Sequence, residues 1–409
     1  MASQLRNVAA LIAAITILQL ANGLLGVRLP LAFEAQGHST TQLGVVAALY
    51  SAGFMMGAAL ATTLLSRVGH IRVFAACAAL FSAATIALHF AHDVWVWGLW
   101  RLAAGVVVAL LFAVIESWLN FSIQPSARGE VMSVYMVTTK AALAIGPFLV
   151  VGVPYDAAEP WMIAAAILAV SMVPVCFTST VQPDPPKAQP LALVEQFATA
   201  PAAVISAFGA GLVNTGVLAL APLYANQNFG AGAAAEFYAA AWIGSMILQW
   251  PAGRVSDRID RRLVIAALTL IAGVAALLLA MMGGASRLIV ALVFAIWGAG
   301  ALSYYGIAVA HMADRAEPGK LAQSAAGLLF VWAGGSVLGP LIMGPLVDIF
   351  GIAGMFWFAG VATLAMTAAM FWRQSSREPP AVKEEFTIQP ATSVAAAEIG
   401  YGEEKPAGT

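Results

Sequence analysis

Long apolar runs separated by short polar breaks fill the chain from its start to about residue 373. Twelve runs are distinguished, near 7–33, 42–66, 72–91, 94–120, 130–152, 160–178, 202–226, 234–254, 263–283, 288–312, 323–347 and 353–372. They hold about 19 to 27 residues, enough for an α-helix to cross a hydrocarbon core of ~30 Å. The pattern predicts twelve transmembrane helices. The first run follows Arg6 and begins like a secretory signal. It is too long for one, carries Gln19 and Asn22 inside it, and precedes eleven more runs, so it reads as a retained helix.

Composition agrees. The 409 residues are 61% hydrophobic and 10% charged, against about 25% charged in ordinary soluble chains. The expected fold class is an all-α integral membrane protein, with the lipid bilayer as its surroundings. A net charge of −1 gives no basic surface for nucleic acid or acidic lipid. The two cysteines, Cys77 and Cys176, lie in different apolar runs and offer no disulfide framework.

Lys and Arg in short loops favour the cytoplasmic side. With the N-terminus inside, thirteen basic residues up to position 377 fall on inside segments: Arg6, Arg67, Arg72, Arg128, Lys187, Arg254, Arg258, Arg261, Arg262, Arg315, Lys320, Arg373 and Arg377. Only Arg28 and Arg287 fall outside. Both termini are therefore expected in the cytoplasm.

Between the sixth and seventh runs, "TSTVQPDPPKAQP" (178–190) carries Pro183, Pro185, Pro186 and Pro190, which prevent a continuous helix. This divides the chain into an N-terminal bundle (1–178), a cytoplasmic linker (179–201) and a C-terminal bundle (202–373). Residues 374–409, with Glu384, Glu385, Glu403 and Glu404 among small residues, read as a disordered cytoplasmic tail. The halves repeat. Asn22 and Pro30 recur 192 positions later as Asn214 and Pro222, and Gly53 and Arg67 recur 191 later as Gly244 and Arg258. Gly146-Pro147 recurs 193 later as Gly339-Pro340. Landmarks in order at nearly constant offset imply a duplicated six-helix unit, with pseudo-two-fold symmetry between the bundles.

The densest charge is "GRVSDRIDRR" (253–262), at the cytoplasmic end of the eighth run. A positive-inside loop accounts for its arginines but not for Gly253 or Asp257. The stretch resembles the G-x-L-A-D-R-x-G-R-R signature of the major facilitator superfamily: Gly253, Asp257, Arg258, Arg261 and Arg262 match, and Asp260 replaces the second glycine. The first-half copy, "TTLLSRVGHIR", keeps Arg67 and Gly69 but has Ser66 in place of the acid. The resemblance implies that this loop's charges join a neighbouring helix end and help hold the cytoplasmic side shut. "WGLWRLAAG" (97–105) is similar to the superfamily's R-x-x-Q-G motif through Arg101 and Gly105, with Ala104 replacing Gln. "ALAIGPFLVVG" (142–152) resembles the Gly-Pro motif of proton-linked exporters through Gly146, Pro147 and Gly152. "IESWLN" and "ARGEVMSVYMV" resemble a bacterial branch typified by YcaD, which implies an inner-membrane location.

A charge at the bilayer centre costs about 2.5–3.5 kcal/mol or more, so ionisable residues inside the runs are candidates for substrate or ion binding. They are Arg101, Glu116 and Lys140; Arg28, near an end, is expected to lie at the interface. Counted from the turn joining the fourth and fifth runs, Glu116 and Lys140 differ in depth by roughly 6 Å, which makes them an expected pair. Asn22, Asn214, Gln249 and Gln19 are uncharged polar candidates, against a plain interhelical role. Trp118, Tyr135, Trp242 and Trp332 are read as packing ahead of cavity lining. His89, His92 and Asp93 have metal-like spacing but sit at a helix end where polar residues are ordinary, so no metal site is expected. "GFMMG" (53–57) and "GSVLG" (335–339) fit close helix packing.

HExxH, GxSxG and Walker P-loop patterns are missing. The expectation is a secondary transporter, not an enzyme, with no cofactor. It would move a small organic solute, an anion or amphiphile foremost, by alternating access as a monomer, with H+ as coupling ion and Glu116 as proton carrier. The alternatives are proton-linked efflux of drugs or metabolites and a non-transporting receptor on the same fold.

Overall fold

The structure, a computed structural model, describes residues 2–124, 127–178, 183, 197–230, 232–317 and 320–376. Most of the expected linker and the tail beyond 376 lie outside the described residues.

The elements are α1 (Ala2–Ala35), α2 (Thr40–Val68), α3 (His70–His89), α4 (Val94–Ser122), α5 (Arg128–Ile145) with a 3-10 extension (Gly146–Val150), α6 (Glu159–Val170) and α7 (Met172–Cys176). After the linker come α8 (Pro201–Phe229), α9 (Ala233–Arg258), α10 (Arg261–Met281), α11 (Arg287–Ala301), α12 (Tyr304–Ala313), α13 (Leu321–Phe350) and α14 (Gly354–Ser376). Their starts follow local chemistry. Ser39 and Gln42 form a reciprocal capping box at α2, and the Asp93 carboxylate accepts the Trp95 and Val96 N–H groups at the start of α4. The turn between α2 and α3 passes through Gly69 at φ 87°, a conformation that disfavours a Cβ.

Eleven spans among the described residues are long and apolar enough to cross a membrane, with α6–α7 and α11–α12 each forming one. Helix α9 is the twelfth pass. Its 26 residues reach about 39 Å at 1.5 Å per residue. It falls outside the eleven because Glu236, Gln249, Arg254, Asp257 and Arg258 dilute its apolar content. Large apolar side chains such as Leu80, Leu99, Ile247 and Leu288 point outward, as a lipid-facing surface requires.

The two halves repeat the same packing. Helix α1 lies on α5, α2 on α4 and α3 on α6; correspondingly α8 lies on α13, α9 on α11 and α10 on α14. The glycines show why. A Cβ at Gly53 would strike the Leu102 carbonyl and one at Gly105 the Tyr50 carbonyl; in the other half Gly244 meets Ala295 and Gly298 meets Ala241. Gly146 against Leu20 and Gly339 against Leu212 form a further matched contact. Gly57 extends the Gly53 seam along Val106, and Gly335 extends the Gly339 seam along Phe208. These small residues let helix backbones touch where bulkier ones would hold them apart. The halves also differ: Gly146-Pro147 ends the α-helix in 3-10 form, whereas α13 continues through Pro340 and Pro345.

Between the bundles, α2 packs on α13 and α5 on α9, contacts related by the same pseudo-symmetry. The end remote from the "GRVSDRIDRR" stretch is tied across this boundary. Gln227 donates to Glu34 at 2.5 Å, and the Tyr155 hydroxyl donates to Asn226 Oδ1 at 2.7 Å.

Candidate substrate and coupling site at the bundle boundary

The tenth pass is broken. Helix α11 ends at Ala301 and α12 begins at Tyr304, leaving a turn at Leu302–Ser303 inside the membrane-spanning region. Backbone groups freed there lack water and must find partners within the protein. Asn214 of α8 donates to the Ala301 carbonyl at 2.7 Å, and Ser245 of α9 donates to the Leu302 carbonyl at 3.3 Å. From the N-terminal bundle, the Lys140 ammonium donates to Ser245 Oγ at 2.5 Å and to Gln249 Oε1. Residues 238, 242, 245 and 249 share one face of α9 by helical spacing, and this face meets α5.

Arg101 occupies the other part of the boundary. Gly105, one turn further along α4, lets that helix seat on the Tyr50 carbonyl. The Arg101 guanidinium on the same face then lies over the Tyr50 ring at 4.0 Å. One turn along α2 from Tyr50, the Phe54 ring meets Trp332 of α13 edge-on at 5.9 Å, so this face of α2 stands at the bundle boundary. Among the described ion pairs, none joins Arg101 or Lys140 to an acid.

Among the described ion pairs, none joins Glu116 to Lys140, the pair expected from depth. Glu116, 1% exposed, accepts a hydrogen bond from the Tyr135 hydroxyl at 3.1 Å, while Lys140 is committed to α9. Equal depth leaves the rotation of the helix open. Tyr135 and Lys140 are five residues apart, about 140° around α5, so the face that serves Glu116 is not the face of Lys140.

Asn22 and Asn214, repeat mates in sequence, act differently. Asn22 donates to Gln19 at 2.7 Å within α1. The first-half counterpart of the tenth pass, α4, runs unbroken from Val94 to Ser122, so it frees no carbonyl for Asn22 to cap. Arg28 is 2% exposed and donates to the carbonyls of Val153, Pro154 and Ala157, in the connection that precedes α6.

The charged decapeptide is a network. Arg261 donates to Asp257 at 3.0 Å, to Ser256 at 2.9 Å and to Asp314, at the end of α12, at 2.7 Å. Arg262 pairs with Asp260 at 2.6 Å and donates to the Arg373 carbonyl of α14 at 2.7 Å. These contacts tie α9, α10, α12 and α14 together within the C-terminal bundle. Gly253 is buried and its carbonyl accepts from Ser256, while Arg258 is exposed. Burial alone would raise the Asp260 carboxyl, but hydrogen bonds from the Arg262 side chain and backbone outweigh it and hold Asp260 below the usual aspartate value. In the first-half copy Arg67 is exposed. His70 stands 191 positions before Arg261, and its Nε2 lies 3.0 Å from Ser117 Oγ. A histidine–hydroxyl contact replaces the ion pair.

Sequence reasoning missed Ser245, Ser303, Tyr50, His70 and Asp314. Serine and tyrosine are too common in helices to stand out. His70 was legible only by carrying the repeat offset through the loop, and Asp314 lies 53 positions from Arg261 with no local pattern to link them.

The profile of the Major Facilitator Superfamily matches residues 11–334 and 203–399. The MFS-type transporter YcaD of Escherichia coli O7:K1 (strain IAI39) is 28% identical over 357 residues, covering 86% of this chain and 91% of that protein. The nucleoside transporter NupG has the same fold, with a TM-score of 0.73 at 12% identity over 90% of this chain and 98% of that one. So does the human organic anion transporter MFSD10, with a TM-score of 0.65 at 16% identity over 90% of this chain and 99% of that one. The chain belongs to the Major Facilitator Superfamily.

Proposed function

We propose that this transporter moves a small organic anion across the bacterial inner membrane by alternating access of its two bundles, driven by H+. One observation carries the substrate class. Two cations, Arg101 and Lys140, stand at the bundle boundary inside the membrane-spanning region, and no described acid is within ion-pair distance of either. Cations so placed are costly, and an anionic ligand offsets that cost. Lys140 spans both bundles through Ser245 and Gln249, so a ligand that competes for its ammonium also loosens the contact between them. Glu116, buried beside Tyr135, is the proton carrier in this reading. The unit boundaries near 178 and 202, cytoplasmic termini, a monomeric state and the "GRVSDRIDRR" network as a brace of the cytoplasmic side complete the proposal.

The test is uptake of radiolabelled organic anions by proteoliposomes and inverted vesicles under an imposed pH gradient. Anion flux that follows the gradient and disappears in Arg101→Met and Lys140→Met supports the reading. Flux of uncharged amphiphiles unaffected by both substitutions rejects it.

A further inference from the structure

We infer that the Lys140 end of the site takes a hydroxylated carboxylate, a hydroxy acid or sugar acid, rather than an apolar anion. The inference rests on the reading of the boundary as an organic-anion site, and it comes from the hydrogen-bonding capacity left at the break of the tenth pass. A backbone carbonyl only accepts. The amide of Asn214 that donates to Ala301 must therefore present its Oδ1 elsewhere, and that oxygen is buried without a hydrogen-bond partner. A lysine ammonium only donates, so Gln249, which accepts from it through Oε1, has its Nε2 donor free of described partners. Lys140 uses two of its three donors. The Ser303 hydroxyl, in the break itself and 1% exposed, is also buried without a partner.

The unmet capacity is thus donors at Lys140 and Gln249, an acceptor at Asn214, and a hydroxyl of either sense at Ser303. Asn214 and Ser245 grip consecutive carbonyls, Ala301 and Leu302, and Ser245 also holds Lys140, which brings these groups to one break. A carboxylate alone satisfies the donors and leaves the Asn214 oxygen unmet. A carboxylate bearing a hydroxyl donates to that oxygen as well. Buried polar atoms left unpaired by a deoxygenated analogue are a strong source of discrimination.

The experiment is thermal stabilisation of the full-length transporter in lipid nanodiscs by lactate, glycerate and gluconate, against propionate, hexanoate and uncharged sorbitol. A ligand of the native state raises the melting temperature by mass action. At least one hydroxy acid is expected to act at about tenfold lower concentration or better than the deoxygenated acid of equal length. Asn214→Leu should abolish that advantage, so that the hydroxy acid is no more potent than its deoxygenated counterpart. Ser303→Ala, which removes no described side-chain hydrogen bond, serves should Asn214→Leu misfold, and it should narrow the advantage. Lys140→Met should abolish both responses. Equal potency of hydroxy and deoxygenated acids overturns this inference and leaves the anion reading intact. Sorbitol matching gluconate, with Lys140→Met unchanged, overturns the anion reading itself. A flat response to all six probes also overturns the inference.

Discussion

The Asp348 carboxylate at the end of α13 caps the first turn of α2 from the opposite bundle. It accepts the Thr40 and Thr41 backbone N–H groups at 3.2 and 2.9 Å and the Thr40 hydroxyl at 2.5 Å. The Thr40 hydroxyl also lies 3.0 Å from the Gly344 carbonyl, where Gly344 packs against the Thr40 backbone. An acid at a helix N-terminus satisfies free N–H groups and meets the positive end of the dipole. Here that contact spans the boundary between the two bundles, which the proposed alternating access would open.

Asp348→Asn should therefore loosen the end remote from the decapeptide while leaving the fold intact, because Ser39 still caps α2 within its own bundle. The expected cost is about 1 kcal/mol or less, since the site is exposed to solvent. Cysteines placed at that end should label faster in the mutant. Unchanged labelling would mean that the cap does not contribute to closure.

The partners of Arg261 differ in burial, and so should their mutants. The Asp314 side chain is fully buried and that of Asp257 is 27% exposed. Asp314→Asn leaves Arg261 short of a buried countercharge and should cost about 3 kcal/mol or more. Asp257→Asn should cost about 1 kcal/mol or less. Denaturation of the two variants in detergent ranks them, and a reversed order would show that Asp257 is the principal partner.

The fold was readable because each of its signals is local. Twelve apolar runs and landmarks at offsets of 191 to 193 lie in linear order. The glycines at 53, 105, 244 and 298 then proved to be the same contacts in two copies. The site was less readable because it depends on rotation and on a break. Nothing in "GAGALSYYG" announces that the tenth pass stops at Leu302 while α4 does not, and this alone separates Asn214 from Asn22. Helical depth placed Lys140 and Glu116 side by side; helical phase sent Lys140 to α9.

Asp260 gives a pH signature. Its folded pKa lies below the ordinary value of 3.8, so its carboxylate contributes stability that is complete above that value. The contribution is lost as pH falls through the lower folded value. Wild type should exceed Asp260→Asn in melting temperature by a constant margin above about pH 5, and the margin should shrink as the medium becomes strongly acidic. Asp260 also caps α10 by accepting the Arg262 N–H at 2.9 Å, so asparagine, which can still cap, isolates the charge. A margin that widens in acid would contradict the assignment.

Two mutant cycles distinguish the partners within reach of Lys140. If its ammonium is committed to Ser245 and Gln249, Lys140→Met strands two buried acceptors, and Gln249→Leu removes one acceptor from a buried cation. Each change should cost about 1–3 kcal/mol, and the double mutant should cost less than their sum by about 1 kcal/mol or more, because neither group is left facing an absent partner. The cycle of Glu116→Gln with Lys140→Met should instead close to within about 0.5 kcal/mol, since Glu116 is held by Tyr135 and the residues share no described hydrogen bond. Measured in nanodiscs, the two cycles compare the same lysine against two neighbours. A larger coupling to Glu116 than to Gln249 would place the lysine within the N-terminal bundle in the membrane, and both the bridging role of Lys140 and the hydroxy-acid site built on it would fall together.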